Sequence, residues 1–183
     1  MFAKLLSVGG KTEEQRSQYI ADISEIPAEQ RVYVDESGVN TCLVREYARA
    51  ERGKKIEAVK RGRKFQRLNV IGAVCNGKHY AIECYSHTSN AAFIERWFTE
   101  SVVKAIPKGQ TVIMDNASFH RQTKLKELAE KAGIRLLFLP VYSPDLNPIE
   151  KTWANMKRRL RDTLPSFHSV SAAVYDYFSV ASS

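Results

Sequence analysis

The chain is poor in cysteine. It has three, Cys42, Cys75 and Cys84, and none belongs to a C-x-x-C pair. An odd, scattered set argues against a disulfide framework or a zinc knuckle and makes a reducing compartment the default. No apolar run approaches the length of a membrane span. The start, Met1 to Val8, is too short and too weakly apolar for a secretory signal. Internal repeats and low-complexity tracts are also lacking. Acidic residues are in deficit, with 20 Asp and Glu against 28 Lys and Arg, so the net charge is +8. The expectation is a soluble, basic, intracellular chain whose charge suits a polyanionic partner. Its 183 residues, 44% of them hydrophobic, suit one domain with one sizeable core.

Residues 11–25 read as a polar helix with Tyr19, Ile20 and Ile23 as a thin apolar stripe, ended by Pro27. Arg31-Val32-Tyr33-Val34 is a short β-rich run that is expected to break at Asp35-Glu36-Ser37-Gly38, leaving Asp35 at a strand end. From Val39 to Leu68 regular patterning fades. Between Arg45 and Arg67, ten Lys or Arg face three Glu, a net +7 that holds nearly the whole charge excess. A loop of that length in a compact domain is usually functional or disordered. Asn69 to Cys75 and Lys78 to Tyr85 form a hairpin through Asn76-Gly77, the pair that favours a type I′ turn. Ser89 or Asn90 can cap a helix over 91–105, with Phe93, Ile94, Trp97, Phe98 and Val102 at helical spacing. Thr111 to Met114 is a buried strand ending in Asp115-Asn116. Thr123 can cap a helix that Gly133 stops, and Ile134 to Leu139 is a further strand. A two-proline loop then leads to a helix from Pro148 to about Thr163, and a last amphipathic segment runs from Ser169 to Phe178.

A hairpin followed by strand–helix alternation describes an α/β mixed sheet, antiparallel hairpin plus parallel strands, flanked by helices. In such sheets functional groups gather at the carboxyl ends of strands. Asp35 and Asp115 lie at such ends, and Glu150 lies one loop beyond the last strand. Locally, Glu150 has two readings. With Asn147 as N-cap and Pro148 as first helical residue, Glu150 can close a capping box. It can equally be a carboxylate fixed at a rigid strand-to-helix junction. Three rigidly held acids meet the need of two oxygen-ligated divalent ions roughly 3.5–4 Å apart.

Three blocks carry a resemblance. Tyr33-Val34-Asp35-Glu36-Ser37-Gly38, then Val112-Ile113-Met114-Asp115-Asn116-Ala117 with His120, then Ser143-Pro144-Asp145-Leu146-Asn147-Pro148-Ile149-Glu150 with Trp153 resemble the signature blocks of a DDE transposase of the mariner superfamily, nearest its bacterial insertion-sequence branch. The 34 residues between Asp115 and Glu150 are similar to that branch's spacing. The resemblance covers about residues 31–162 and implies an RNase H-like core that uses Mg²⁺ or Mn²⁺ in a two-metal site. It implies cleavage at transposon ends and strand transfer into target DNA by a homodimer on DNA. Carried over, Asp35, Asp115 and Glu150 are the catalytic and metal-binding triad, with Asn116, His120 and Asn147 as supporting residues.

Arg52, Lys54, Lys55, Lys60, Arg61, Arg63 and Lys64 in the basic loop, and Lys157, Arg158 and Arg161 on the last long helix, are the expected DNA-contacting groups; they set affinity, not sequence choice. Trp153, three residues after Glu150, is expected to pack beside the site, Asp145 to form the turn, and Glu36 to face solvent. The expected organisation is an N-terminal helical appendage (1–30), a catalytic domain (31–165) with a basic insertion loop (39–68), and a helical tail (166–183). Relatives carry an N-terminal helix-turn-helix region that about thirty residues cannot hold. An upstream helix-turn-helix polypeptide or a frameshift fusion is therefore an expected partner, and the cytoplasm, at the bacterial nucleoid, the expected place. Two other readings share these features: a catalytically silent DNA-binding or dimerising remnant, and an RNase H-type nuclease.

Overall fold

The computed structural model describes residues 2–40, 67–117, 121–141 and 143–181, with side chains from residue 13 onward. The order along the chain is α1 (Phe2–Ser24), β1 (Arg31–Asn40), β2 (Arg67–Cys75), β3 (Lys78–Tyr85), α2 (Ala91–Trp97), a π-helical turn (Phe98–Val102), α3 (Val103–Ala105), β4 (Thr111–Met114), α4 (Gln122–Ala132), β5 (Arg135–Phe138), α5 (Ile149–Thr163) and α6 (Val170–Ala181). The strands form one sheet in the order β3-β2-β1-β4-β5. β3, β2 and β1 pair antiparallel, whereas β1, β4 and β5 pair parallel.

The β2–β3 hairpin turns at Asn76 and Gly77, with φ of 47° and 78°, the double positive φ of a type I′ turn. Asn90 caps α2, its side chain accepting from the Phe93 N–H at 3.0 Å. The π turn lets the adjacent Trp97 and Phe98 both enter the core, where each is fully buried. α4 starts at Gln122, one residue before the expected Thr123 cap, and has no side-chain cap. Gly133 ends it in the left-handed region at φ 70°.

Strand alternation divides the sheet into two faces. Val32, Val34, Val112 and Met114 face a core built with α2, the π turn and α4. On the other face Val39, Val70 and Val74 pack against Ile149, Trp153, Met156 and Leu160 of α5 and Val174 and Phe178 of α6. Tyr19 of α1 completes this second layer, buried with Ile113 and Leu139. Of the apolar stripe read for this helix, Tyr19 and Ile23 meet that cluster, while Ile20 points to solvent, 47% exposed. The helix also begins well before residue 11, at Phe2.

β1 departs from its expected length. It does not break at Asp35 but continues to Asn40, because β2 supplies antiparallel partners for the whole stretch, from Tyr33↔Val74 to Asn40↔Arg67. The ends of the expected basic loop, Val39-Asn40 and Arg67-Leu68, are therefore strand. The rest of that loop, with Arg52, Lys54, Lys55, Lys60, Arg61, Arg63 and Lys64, lies outside the described residues, as does His120. Among the described residues, no helix is long and apolar enough to cross a membrane.

Candidate active site

The parallel β1–β4 ladder ends at Val34↔Met114. Asp35 and Asp115 each follow that last pair by one residue, so both emerge at the same edge. Alternation puts Asp35 on the face of Tyr33 and Asp115 on the face of Ile113, the layer that carries α5. β5 ends beside them, with the Leu139 N–H donating to Met114 O at 2.9 Å. The chain then turns through a 3₁₀ segment, Pro144–Leu146, into α5. The outcome is a cavity of about 280 Å³ lined by Asp35, Asp115, Asn116, Asn147 and Glu150, with Leu139 and Pro140 among its apolar walls.

The start of α5 decides between the two local readings of Glu150. The Asn147 N–H donates to Pro144 O at 2.9 Å, so it is not left for the Glu150 carboxylate. The Asn147 side chain caps nothing: the Glu150 N–H goes to the Asn147 main-chain oxygen at 3.3 Å, and the buried Oδ1 of Asn147 has no partner. Pro148 has helical dihedrals (φ −67°, ψ −15°) and Asn147 extended ones (φ −109°, ψ 94°), but α5 starts at Ile149 with Pro148 in the cap position, one residue later than expected, and the capping box is absent. Glu150, exposed in the first turn, keeps its carboxylate at the cavity.

Asp35 is half-buried, and its carboxyl is pushed up to about 6, first by burial and further by the charges of Asp115 and Glu36. The Glu36 N–H and the Trp153 indole oppose the shift. Trp153 Nε1 donates to Asp35 Oδ2 at 3.1 Å. Space for the indole comes from Gly72, the β2 residue opposite Asp35. A Cβ there would lie 3.3 Å from the Trp153 ring and 2.4 Å from Ile82 Cδ1.

The other positions sort clearly. Asn116 is exposed, and its Oδ1 accepts from Gln122 Nε2, which ties the turn after β4 to α4. Glu36 points to the opposite face, as alternation requires, but it is not solvated: Ser89 Oγ donates to its Oε2 at 3.1 Å, and the same hydroxyl shares a 2.7 Å hydrogen bond with Tyr85 Oη. Asp145 does not line the cavity and accepts from both terminal guanidinium nitrogens of Arg16. Lys157, Arg158 and Arg161, with Trp153, line a second cleft that shares Asp35 and Glu150 with the first. The three acids and three α5 cations thus occupy two adjoining hollows.

Sequence reasoning missed two partners. Trp153 was read as packing only, although its i+3 spacing from Glu150 put it on the right helix face. Arg16 gave no signal, because nothing in the α1 pattern points to a residue 129 positions away.

As a donor set for a cation, the cavity offers Asp35, Asp115 and Glu150 carboxylates and the unspent Asn147 amide oxygen, and among the described residues no Cys or His lines it. Hard divalent ions prefer such oxygen donors, and a cation would favour the ionised form of Asp35, which burial first and the charges of Asp115 and Glu36 further disfavour. Among the described residues, no three His, Cys, Asp or Glu side chains stand at metal-ligating spacing. The fit is one of chemistry, with the acids on separate elements around one cavity.

The mixed five-stranded sheet, helices on both faces and acids at the β1–β4 edge, is the RNase H-like architecture of transposase catalytic cores. Comparison with solved structures bears this out. The Mos1 strand transfer complex matches with a TM-score of 0.70 at 18% identity, over 92% of this chain and 51% of that one. The mariner Mos1 paired-end complex with Mg matches at 0.70 and 17%, over 93% and 54%. The catalytic domain of Mos1 mariner transposase matches at 0.60 and 15%, over 92% and 79%. The chain therefore spans about half the length of the Mos1 chains in those complexes. A search of curated proteins found no match. Residues 30–172 match the family described as DDE superfamily endonuclease, and the chain belongs to that family.

Proposed function

We propose that this chain is the catalytic domain of a transposase that cleaves DNA phosphodiester bonds at the ends of a mobile element and joins the freed 3′-hydroxyl to target DNA. One observation carries the reading: Asp35 of β1, Asp115 just after β4 and Glu150 of α5 line a single cavity beside the α5 cations. Mg²⁺ or Mn²⁺, held by these three carboxylates, would supply activation of the attacking oxygen and stabilisation of the leaving oxygen. The chain's own residues do the rest. Asp35 and Asp115 are held by the paired strands, so the sheet fixes their separation. Trp153 orients the Asp35 carboxylate and favours its ionised form. Glu150 reaches the cavity from the first turn of α5, where a helix N-terminus favours negative charge. Lys157, Arg158 and Arg161 hold backbone phosphates on the adjoining wall, which aligns the strand without reading its bases. The Mos1 neighbours bear names describing complexes with a transposon end and with Mg or Mn, which supports DNA and a divalent ion as this chain's partners. Action as a homodimer on DNA, with a separate or fused helix-turn-helix polypeptide reading the ends in the cytoplasm, belongs to the same proposal.

The test is cleavage and strand transfer on a transposon-end duplex with Mg²⁺, alone and with the upstream helix-turn-helix polypeptide added. Wild type is expected to cut and join, while Asp115→Ala and Glu150→Ala fall to background. Activity surviving either substitution would show the triad to be wrong. The outcome that would replace this reading is a silent DNA-binding or dimerising remnant. Correctly folded wild type that binds DNA yet never cuts would establish it.

A further inference from the structure

α5 enters the active site without a cap of its own. Neither half of the expected Asn147–Glu150 box forms, and the hydrogen bonds among the described residues at this entry are mostly main-chain: Leu146 N–H to Ser143 O at 3.2 Å, Asn147 N–H to Pro144 O at 2.9 Å, Glu150 N–H to Asn147 O at 3.3 Å and Lys151 N–H to Pro148 O at 3.2 Å, beside a long side-chain one from Ser143 Oγ to Val141 O at 3.4 Å. A side-chain tie comes instead from outside. Both terminal guanidinium nitrogens of Arg16 donate to the two carboxylate oxygens of Asp145, with Nη1 to Oδ1 at 3.0 Å. This paired geometry fixes direction as well as distance. One turn along α1, Tyr19 is buried with Ile113 and Leu139, and Ile23 and Leu146 pack against the same cluster. Arg16, Tyr19 and Ile23 share a stripe of the helix (i, i+3, i+7). The stripe touches β4 two residues before Asp115 and the 3₁₀ turn five residues before Glu150. α1 therefore bridges the two elements that deliver those acids.

Building on the function proposed above, we infer that α1 is a positioning element of the active site, with Arg16 acting through Asp145 to fix the turn that delivers Glu150 to the cavity. The pair is partly exposed, 29% for Arg16 and 59% for Asp145, so its contribution to overall stability is small. Its effect falls on the local geometry of the loop before α5, where, among the described residues, the other side-chain hydrogen bond is the 3.4 Å one from Ser143 Oγ to Val141 O. Breaking it leaves the fold intact and loosens the third carboxylate.

Mn²⁺ titration by calorimetry separates this from a purely structural role. Arg16→Ala and Asp145→Ala are each expected to weaken Mn²⁺ binding by about 10-fold, with the thermal unfolding midpoint nearly unchanged. The exchanged pair R16D/D145R is expected to recover most of the affinity, and Arg16→Lys, which lacks the paired donors, only part. Unchanged Mn²⁺ affinity in both single variants would overturn the inference, as would an exchanged pair no better than either single variant. A large loss of unfolding midpoint in parallel with the lost affinity would make Arg16 a structural residue and overturn it too. Asp115→Ala tells the two proposals apart. If it binds Mn²⁺ like wild type, the metal site itself is wrong; if it loses Mn²⁺ while Arg16→Ala does not, only the clamp fails.

Discussion

Trp153 Nε1 donates to Asp35 Oδ2 at 3.1 Å across 118 residues of sequence. The bond joins the first signature block to the third. It runs from the buried face of α5 to the strand β1, and the indole is held in turn by Phe178 of α6, edge to face at 6.1 Å between ring centroids. Glu150 and Trp153 lie on much the same side of α5, so the helix that presents one acid also orients another. A shift of α5 thus moves both ends of the site together.

Trp153→Phe keeps an aromatic ring at this position and removes only the donor. Since the acceptor is a carboxylate, the loss at pH 7.5 is expected to be about 1.5–3 kcal/mol of unfolding free energy. The Asp35 carboxyl should also rise beyond its present value of about 6, because the indole is one of the two groups holding it down. Denaturant unfolding and an NMR titration of the Asp35 carboxyl measure the two effects. An unmoved Asp35 titration would mean that the indole does not govern this carboxylate.

Gly72→Val tests the cleft in which the indole sits. Gly72 pairs with Asp35 across the ladder, and even a Cβ would press on Ile82 Cδ1 and the Trp153 ring. Overpacking of this kind costs about 1–3 kcal/mol, and the displaced indole should change its fluorescence maximum. Adding Ile82→Ala relieves the closer of the two clashes. The double variant is expected to regain part of the stability while the indole stays displaced. Full recovery of both signals would show that only Ile82 needs the glycine.

The raised Asp35 carboxyl gives the metal-free protein a pH dependence of definite sign. Its folded value, about 6, lies above the ordinary 3.8, so between those values the folded state binds more protons than the unfolded one. Stability from this group is therefore full at the acid end and is lost as pH rises through the window from about 4 to 6. The total is up to about 3 kcal/mol. Asp35→Asn should remove this slope and leave the protein more stable than wild type at pH 7 in the presence of a chelator. Mg²⁺ should flatten the wild-type slope as well, since a cation favours the ionised carboxylate. Unfolding curves at half-unit pH steps decide it, and parallel slopes for wild type and Asp35→Asn would sink the assignment.

Most of the fold was legible because its signals are local. Asn76-Gly77 dictates a turn whatever surrounds it, and Phe93, Ile94, Trp97 and Phe98 mark a buried helical face by spacing alone. The apolar run that stops at Met114 put Asp115 at a strand end, whereas Asp35 lies within β1 and only the parallel β1–β4 pairing stops before it. Reading failed where a distant partner intervenes. β1 runs through Asp35-Glu36-Ser37-Gly38 because β2 pairs with it, and no residue in that stretch announces the partner. The capping box at Asn147 and Glu150 satisfied every local rule, yet Pro144 O takes the Asn147 N–H first. Arg16–Asp145 and Trp153–Asp35 are long-range polar contacts, chosen by tertiary geometry and not by periodicity.

The α5 cations carry a prediction about salt. Lys157, Arg158 and Arg161 line the cleft that adjoins the acids, on a helix whose Ile149, Trp153, Met156 and Leu160 are buried. Substituting any one of the three by alanine should leave stability nearly unchanged, because Arg158 and Arg161 are exposed and Lys157 is only half-buried. DNA affinity should fall by a similar factor for every duplex sequence, since phosphate contacts carry no base information. Each lost phosphate contact should also reduce the slope of log affinity against log salt by about 0.9 for duplex DNA. Fluorescence anisotropy over a range of KCl concentrations, on a transposon-end duplex and on an unrelated one, measures both. Arg159, on the same helix but outside that cleft, is the control. If Arg159→Ala lowers the slope as much as Arg158→Ala does, the α5 contribution is a diffuse charge effect and not a phosphate track beside the acids.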